Sequence, residues 1–260
     1  MIRTLLICGL LAGLLAGLAS FGTASLIGEP ALNDAIAYEE AHAEPEPAVA
    51  ADGHAHSHDE GTEVSRGTQS TVGLLTATSV YGLAFGGLFA LFFSYAYGRL
   101  MEASPRVTAT WLGFFGFLVV FLVPFLKYPA TPPAIGDPET IGERTLLYFG
   151  MITISALAAF IGYRARAALQ ASRPEVASLA GVATFLVIVI AAGLALPGVN
   201  EIPADFSAVS LWEFRIGTVG TQAAMWAVLT IAFSYGAQHV MTRDQRAVSA
   251  AGASSAPATS

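Results

Sequence analysis

The sequence predicts an all-α, polytopic membrane protein with about six transmembrane helices. Of its 260 residues, 54% are hydrophobic and only 12% are charged, whereas soluble domains carry about 25% charged residues. The mean hydropathy is +0.61. The apolar residues gather in long runs that reach the roughly 20 residues needed to cross a bilayer. These runs lack the two-residue alternation of barrel strands, so the backbone groups in lipid must be satisfied within helices.

The six runs define the expected spans in chain order. They cover residues 2–27, 72–97, 107–126, 146–163, 178–196 and 216–236. Together they make one transmembrane domain over residues 1–240, interrupted by an acidic, His-rich loop at residues 28–71. The tail at residues 241–260 is small and polar, and we expect it to be disordered and cytoplasmic.

The first span has two open questions. Its apolar stretch, residues 5–27, is longer than the core of a signal peptide, so we expect a retained helix. Cleavage near the small residues 23–25 is the alternative. Glycines recur every four residues in the first two spans, at Gly9, Gly13, Gly17, Gly82 and Gly86. This spacing fits close helix packing, or simply the general glycine enrichment of membrane helices.

The distribution of basic residues predicts the orientation. With both termini in the cytoplasm, eight of the 12 arginine and lysine residues lie inside and four lie outside. Positive charge favours the cytoplasmic side of short loops. The loop at residues 28–71, with ten acidic residues, then faces outward.

Composition and missing motifs exclude several functions. The net charge of -7 argues against nucleic acid as a partner. Lys127 is the only lysine, and no phosphate-binding G-x-x-x-x-G-K-[ST] loop surrounds it. The common hydrolase and redox motifs are absent from the sequence, so we expect no enzyme and no permanently bound cofactor. Cys8 lies in the first apolar run and reads as a packing residue.

The stretch "ADGHAHSHDE" is the clearest candidate metal site. Imidazoles two residues apart lie on one side of an extended chain, and they suit cobalt, nickel and zinc ions. The surrounding acidic segment attracts cations. A solvated linker that is His-rich by chance is the alternative. The predicted ligands are His54, His56, His58, Asp52, Asp59 and Glu60.

A proline-rich stretch, "FLVPFLKYPATPPAIGDPETIGERT", follows the third span at residues 121–145. Its prolines enforce an extended path, and it carries Lys127, Tyr128, Asp137 and Glu139. Such a loop is suited to lining the entry to a transport path. A rigid connector with a lysine reaching for the interface is the alternative.

Polar residues also mark the start of the last span. Glu213 and Arg215 lie at its edge, and Thr221 and Gln222 lie about two turns further in. Polar groups inside a span are functional candidates, although hydrogen bonding between helices explains them equally well. His239, near the other end of the span, reads mainly as an interfacial side chain.

Several stretches together resemble one known family. They are "LLICGLLAGLLAGL", "AYEE", "FLKYPATPPAIGDPETI" and "LWEFRIGTVGTQAAMWAVL", in order between Met1 and Gln238. They look like the CbtA family of predicted cobalt transporter subunits, with Thr131 where the family typically has Asn. The matching positions are Lys127, Tyr128, Pro129, Pro132, Pro133, Gly136, Asp137, Pro138, Trp212, Phe214, Arg215, Gly220, Thr221 and Gln222.

The resemblance implies a multi-pass protein of the bacterial inner membrane with a small single-helix partner, CbtB, that has a His-rich end. We therefore expect a subunit of a divalent metal uptake transporter, with cobalt, or else nickel or zinc, as the substrate collected by the His-rich loop. Assembly into a homo-oligomer fits the same picture. The alternative is a membrane-anchored metal sensor or assembly partner that transports nothing.

Overall fold

The computed structural model describes residues 2–42, 65–100, 102–133 and 135–254, and these residues form helices joined by short loops. Within them, six helices are long and apolar enough to cross a membrane. We number them α1 to α6; their bounds are Ile2–His42, Arg66–Ala96, Pro105–Lys127, Pro138–Gln170, Pro174–Ala195 and Ala208–Ser254. The predicted number and order of spans are confirmed.

The predicted boundaries were too short in several places. The expected loop begins at residue 28, but α1 continues to His42. The last span was expected to end at residue 236 and the tail to be disordered, but α6 continues to Ser254. The reason is the same for α1 and α6. Charged residues mark where a segment leaves lipid, but they do not end a helix, because alanine-rich sequence with scattered charges is also helical in water.

In the described part of the chain, three turns are wider than those of an α-helix, at Ala24–Gly28, Gln69–Gly73 and Phe117–Leu122. Pro124 explains the third, since it has no N–H to donate to the carbonyl one turn earlier. The first two lie at the same end of the molecule, in α1 and α2, and turns of this kind are frequent at functional sites.

Glycines bring α1 and α2 into backbone contact. A Cβ atom added at Gly9, Gly13 or Gly17 would overlap the backbone of α2, and one added at Gly82 or Gly86 would overlap α1. Close packing, rather than general enrichment, therefore accounts for the four-residue spacing in both helices. The first helix packs against both α2 and α6.

The core lies where α1, α2, α3 and α6 meet. Phe233 of α6 packs edge-on against Phe89 and Phe93 of α2, with ring centroids 5.0 and 5.1 Å apart. Leu5 of α1 and Met225 of α6 are 1% exposed in the same cluster. α4 packs on the end of α3, and α5 packs on α4 at the outside of the bundle.

Candidate functional site: the cap end of the bundle

One end of the bundle carries a small folded region, which we call the cap. It consists of residues 29–42 of α1 with the loops at 128–140 and 197–207, of which residue 134 is not described. Ala35, Ile135 and Phe206, one from each part, are buried together. The cap therefore has an apolar centre of its own, outside the main core.

Polar side chains in and beside the proline-rich loop donate to backbone carbonyls. Lys127 Nζ donates to the Leu196 carbonyl at 2.9 Å, and Tyr128 Oη donates to the Pro197 carbonyl at 3.0 Å. Partial burial raises the pKa of Tyr128, which keeps this hydroxyl protonated. Arg215 Nε reaches the Ala130 carbonyl at 3.3 Å. These contacts tie the loop to the end of α5 and the start of α6, which favours the interpretation as a rigid connector.

Glu201 joins the same loop to α4. Its carboxylate accepts the Thr140 hydroxyl at 2.6 Å and the Asp137 backbone N–H at 3.1 Å, and it lies 3.4 Å from Arg144 Nε. Gly136 has a φ of +124° beside this group, a backbone conformation that favours glycine. Glu201, from the 197–207 loop, is therefore the main polar contact between that loop and the end of the proline-rich loop.

The end of α1 meets the 197–207 loop through an aromatic and acidic cluster. Tyr38 Oη donates to Asp205 at 2.9 Å, and the His42 ring lies 3.3 Å from the same carboxylate. Tyr38 also stacks on His42 and packs edge-on against Phe206. The Tyr38 hydrogen bond is the main reason that the pKa of Asp205 lies below its ordinary value.

A cleft of about 220 Å³ opens beneath the cap, between α1, α2 and α6. Its α1 wall is the wide turn at Ala24–Gly28, and its polar lining consists of Glu29, Thr218, Thr221 and Gln222. Gln222 also lies close to Tyr81 on α2. Residues with carboxylate, hydroxyl and amide groups thus line one cleft.

The carboxylate of this cleft has a basic partner. Glu29, whose side chain is 15% exposed, pairs closely with Arg66 at the start of α2. Arg66 also donates to Asn33 Oδ1 at 3.1 Å. Leaving such a carboxylate without a counter-charge at the edge of lipid would be costly, so Arg66 stabilises it in this state.

The residues predicted as a transport path fall into separate groups. Thr221 and Gln222 line the cleft, whereas Lys127, Tyr128, Asp137 and Arg215 take part in the contacts that fix the proline-rich loop. Glu139 and Glu213 have exposed side chains. The predicted ligands His54, His56, His58, Asp52, Asp59 and Glu60 lie outside the described residues. In the part of the chain that is described, no three His, Cys, Asp or Glu side chains converge on one point.

Sequence reasoning missed Glu29, Arg66, Glu201 and Asp205 as partners. Glu29 had one usable signal, since it is the first charge after the apolar part of the first span. The others were counted only as loop charges, because their partners are 33 or more residues away along the chain.

A family model supports the resemblance seen in the sequence. The model described as "Probable cobalt transporter subunit (CbtA)" matches residues 2–238. No curated protein and no solved structure matches the chain. The matched region includes α1 to α5, α6 as far as Gln238, the cleft and the cap.

Proposed function

Because the chain belongs to the CbtA family of probable cobalt transporter subunits, we propose that it carries a divalent cation, cobalt foremost, across the bacterial inner membrane in the inward direction. The observation that carries the proposal is the match over residues 2–238. Six helices able to span a bilayer agree with it. The proposed working assembly contains a small single-helix partner of the CbtB type, and several copies of the chain.

The proposed first step is collection of the ion by His54, His56 and His58, with Asp52, Asp59 and Glu60 beside them. The segment that carries these residues is joined to the described chain at His42 and Ser65. Both anchor points belong to the cap end, where the cleft opens. With both termini in the cytoplasm, the cap end faces outward, as the excess of basic residues at the other end favours.

The second step takes the ion into the cleft. A bare divalent ion in lipid is prohibitively costly, so it needs oxygen or nitrogen ligands along its path. Glu29 supplies the one carboxylate among the residues that line the cleft, and Thr218, Thr221 and Gln222 supply neutral oxygens. An entering cation takes the place of Arg66 beside Glu29.

Uptake of radioactive cobalt into proteoliposomes tests this function, with and without the small partner. Glu29→Gln removes the charge that the ion meets, and we expect initial uptake to fall about tenfold or more. The matched control is Glu143→Gln, an exposed carboxylate at the same end of the molecule. A variant Glu29→Gln that transports as well as the control would refute the role of the cleft.

The sensor or assembly role is the second candidate. It is favoured by the scarcity of ligands, since the described residues hold no group of three His, Cys, Asp or Glu side chains. In that role the His-rich segment binds metal and the helices only anchor it. A flat uptake time course with and without the partner, together with retained cobalt binding, would establish this alternative.

A further inference from the structure

The end of the bundle opposite the cap holds a basic cavity of about 450 Å³ between α3 and α6. Three arginines line it, Arg106 from α3 and Arg243 and Arg246 from α6, and His239 lies among them. None of the described residues that line this cavity is a carboxylate. Asp244, the acidic neighbour on α6, is exposed and lies outside the lining.

Contacts with α6 fix the position of Arg106. Its guanidinium lies 4.1 Å from the centroid of the Tyr235 ring, and Nη2 donates to the Tyr235 hydroxyl at 2.6 Å. Its backbone N–H donates to Gln238 Oε1 at 3.3 Å. Because the tyrosine fixes one edge of the planar group, the remaining N–H donors point in a fixed direction.

Three arginines around one cavity, with no carboxylate among the described lining residues, favour binding of an anion. Like charges lined up around one space repel each other, and a bound anion removes that cost. Guanidinium groups match the geometry of phosphate oxygens and bind them through paired hydrogen bonds. The volume is also that of a small-molecule site, well above what a single ion needs.

The surroundings of the cavity indicate a lipid as the source of the phosphate. One turn nearer the middle of the membrane, Ile231 is 58% exposed, and Tyr235 is itself 57% exposed. On α3, Val107, next to Arg106 in the chain, and Trp111, one turn further along, are 44% and 46% exposed. An acyl chain covers such an apolar surface, whereas a free phosphate leaves it uncovered. Aromatic side chains are also typical of the headgroup level.

We propose that this cavity binds the phosphate of an anionic phospholipid, with the acyl chains lying along the exposed apolar surface of α3 and α6. The site goes beyond the proposed transport function and does not depend on it. A lipid held there links α3 to α6 at the end where the two helices meet through Arg106 and Gln238. The proposed headgroup is phosphatidylglycerol or another lipid with a phosphodiester and no compensating amine.

Binding of a fluorescent short-chain phosphatidylglycerol to the full-length protein in detergent tests the site. We expect the double variant Arg243→Gln/Arg246→Gln to raise Kd about tenfold or more. The matched control, Arg164→Gln/Arg173→Gln, removes two exposed arginines elsewhere at the same end and should change Kd by less than about twofold. An unchanged melting temperature shows that each variant is folded.

Three results would overturn the proposal. Equal affinity for phosphatidylcholine would show that the site does not distinguish an anionic headgroup from a zwitterionic one. Equal loss in both double variants would show diffuse attraction rather than a site. Displacement of the lipid by an equal concentration of inorganic phosphate would assign the cavity to a soluble anion.

Discussion

At the scale of single residues, the charged side chains in and next to the cap mainly hold the protein's own loops in place. Lys127 and Arg215 donate to backbone carbonyls, and Glu201 accepts hydrogen bonds from Thr140 and Asp137 and forms an ion pair with Arg144. The sequence marked Lys127 and Arg215 as candidates for a transport path, a role that stays a prediction, whereas the partner of each is set by tertiary contacts. Their chemical type was therefore predictable, and their role was not.

Glu201→Gln should destabilise the protein by about 1–2 kcal/mol, because Arg144 loses its counter-charge while both side chains stay largely buried. The measurement is thermal unfolding of the purified protein in detergent. Glu213→Gln is the control, since that side chain is exposed. Equal melting temperatures for the two variants would contradict a central position for Glu201.

Asp205 should make the cap sensitive to acid only at low pH. Its pKa in the folded protein lies below its ordinary value of 3.8. The stabilisation is therefore complete above that value and is lost as the pH falls through the lowered pKa. Spin labels on cysteines placed at the exposed positions Glu40 and Ser207, with Cys8→Ala, measure the distance across the cap. We expect a constant distance down to about pH 5, and a widening there would contradict the assignment.

At the scale of helices, the contact between α1 and α2 depends on the absence of side chains. Gly13 faces the Gly82 carbonyl and the Gly86 Cα atom, so neither surface can yield by rotating a side chain. The four-residue spacing was visible in the sequence. The sequence did not show which helices would pack through these glycines, because five glycines on two spans allow several pairings.

Gly13→Ala should cost about 1–3 kcal/mol, since the added methyl group overlaps the backbone of α2. Gly22→Ala, on the same helix, meets nothing within 4 Å and should be neutral or slightly stabilising. Unfolding midpoints in a denaturing detergent titration compare the two. Similar losses in both variants would mean that the contact does not form.

At the scale of the whole molecule, hydrophobicity predicted the number, order and type of helices, because lipid permits few alternatives. It did not predict the extensions of α1 and α6, which lie outside lipid and follow helix propensity. It also gave no view of the cleft or the basic cavity, since both are formed by helices far apart in the chain.

The orientation of the protein is testable in intact cells. With Cys8→Ala, a single cysteine at Glu40 marks the cap end and one at Arg173 marks the other. An impermeant thiol reagent should label position 40 only, and lysed cells should label both. Labelling at 173 alone would place the His-rich segment in the cytosol and refute the proposed uptake route.

The contact between α1 and α6 has a consequence for biosynthesis. α1 rests on α6, which is synthesised after α1 to α5, and Met225 and Phe233 of α6 close the core only then. Until α6 is made, the apolar flank of α1 stays open to lipid or to an insertion chaperone. A protein truncated before α6 should therefore be degraded by the cell.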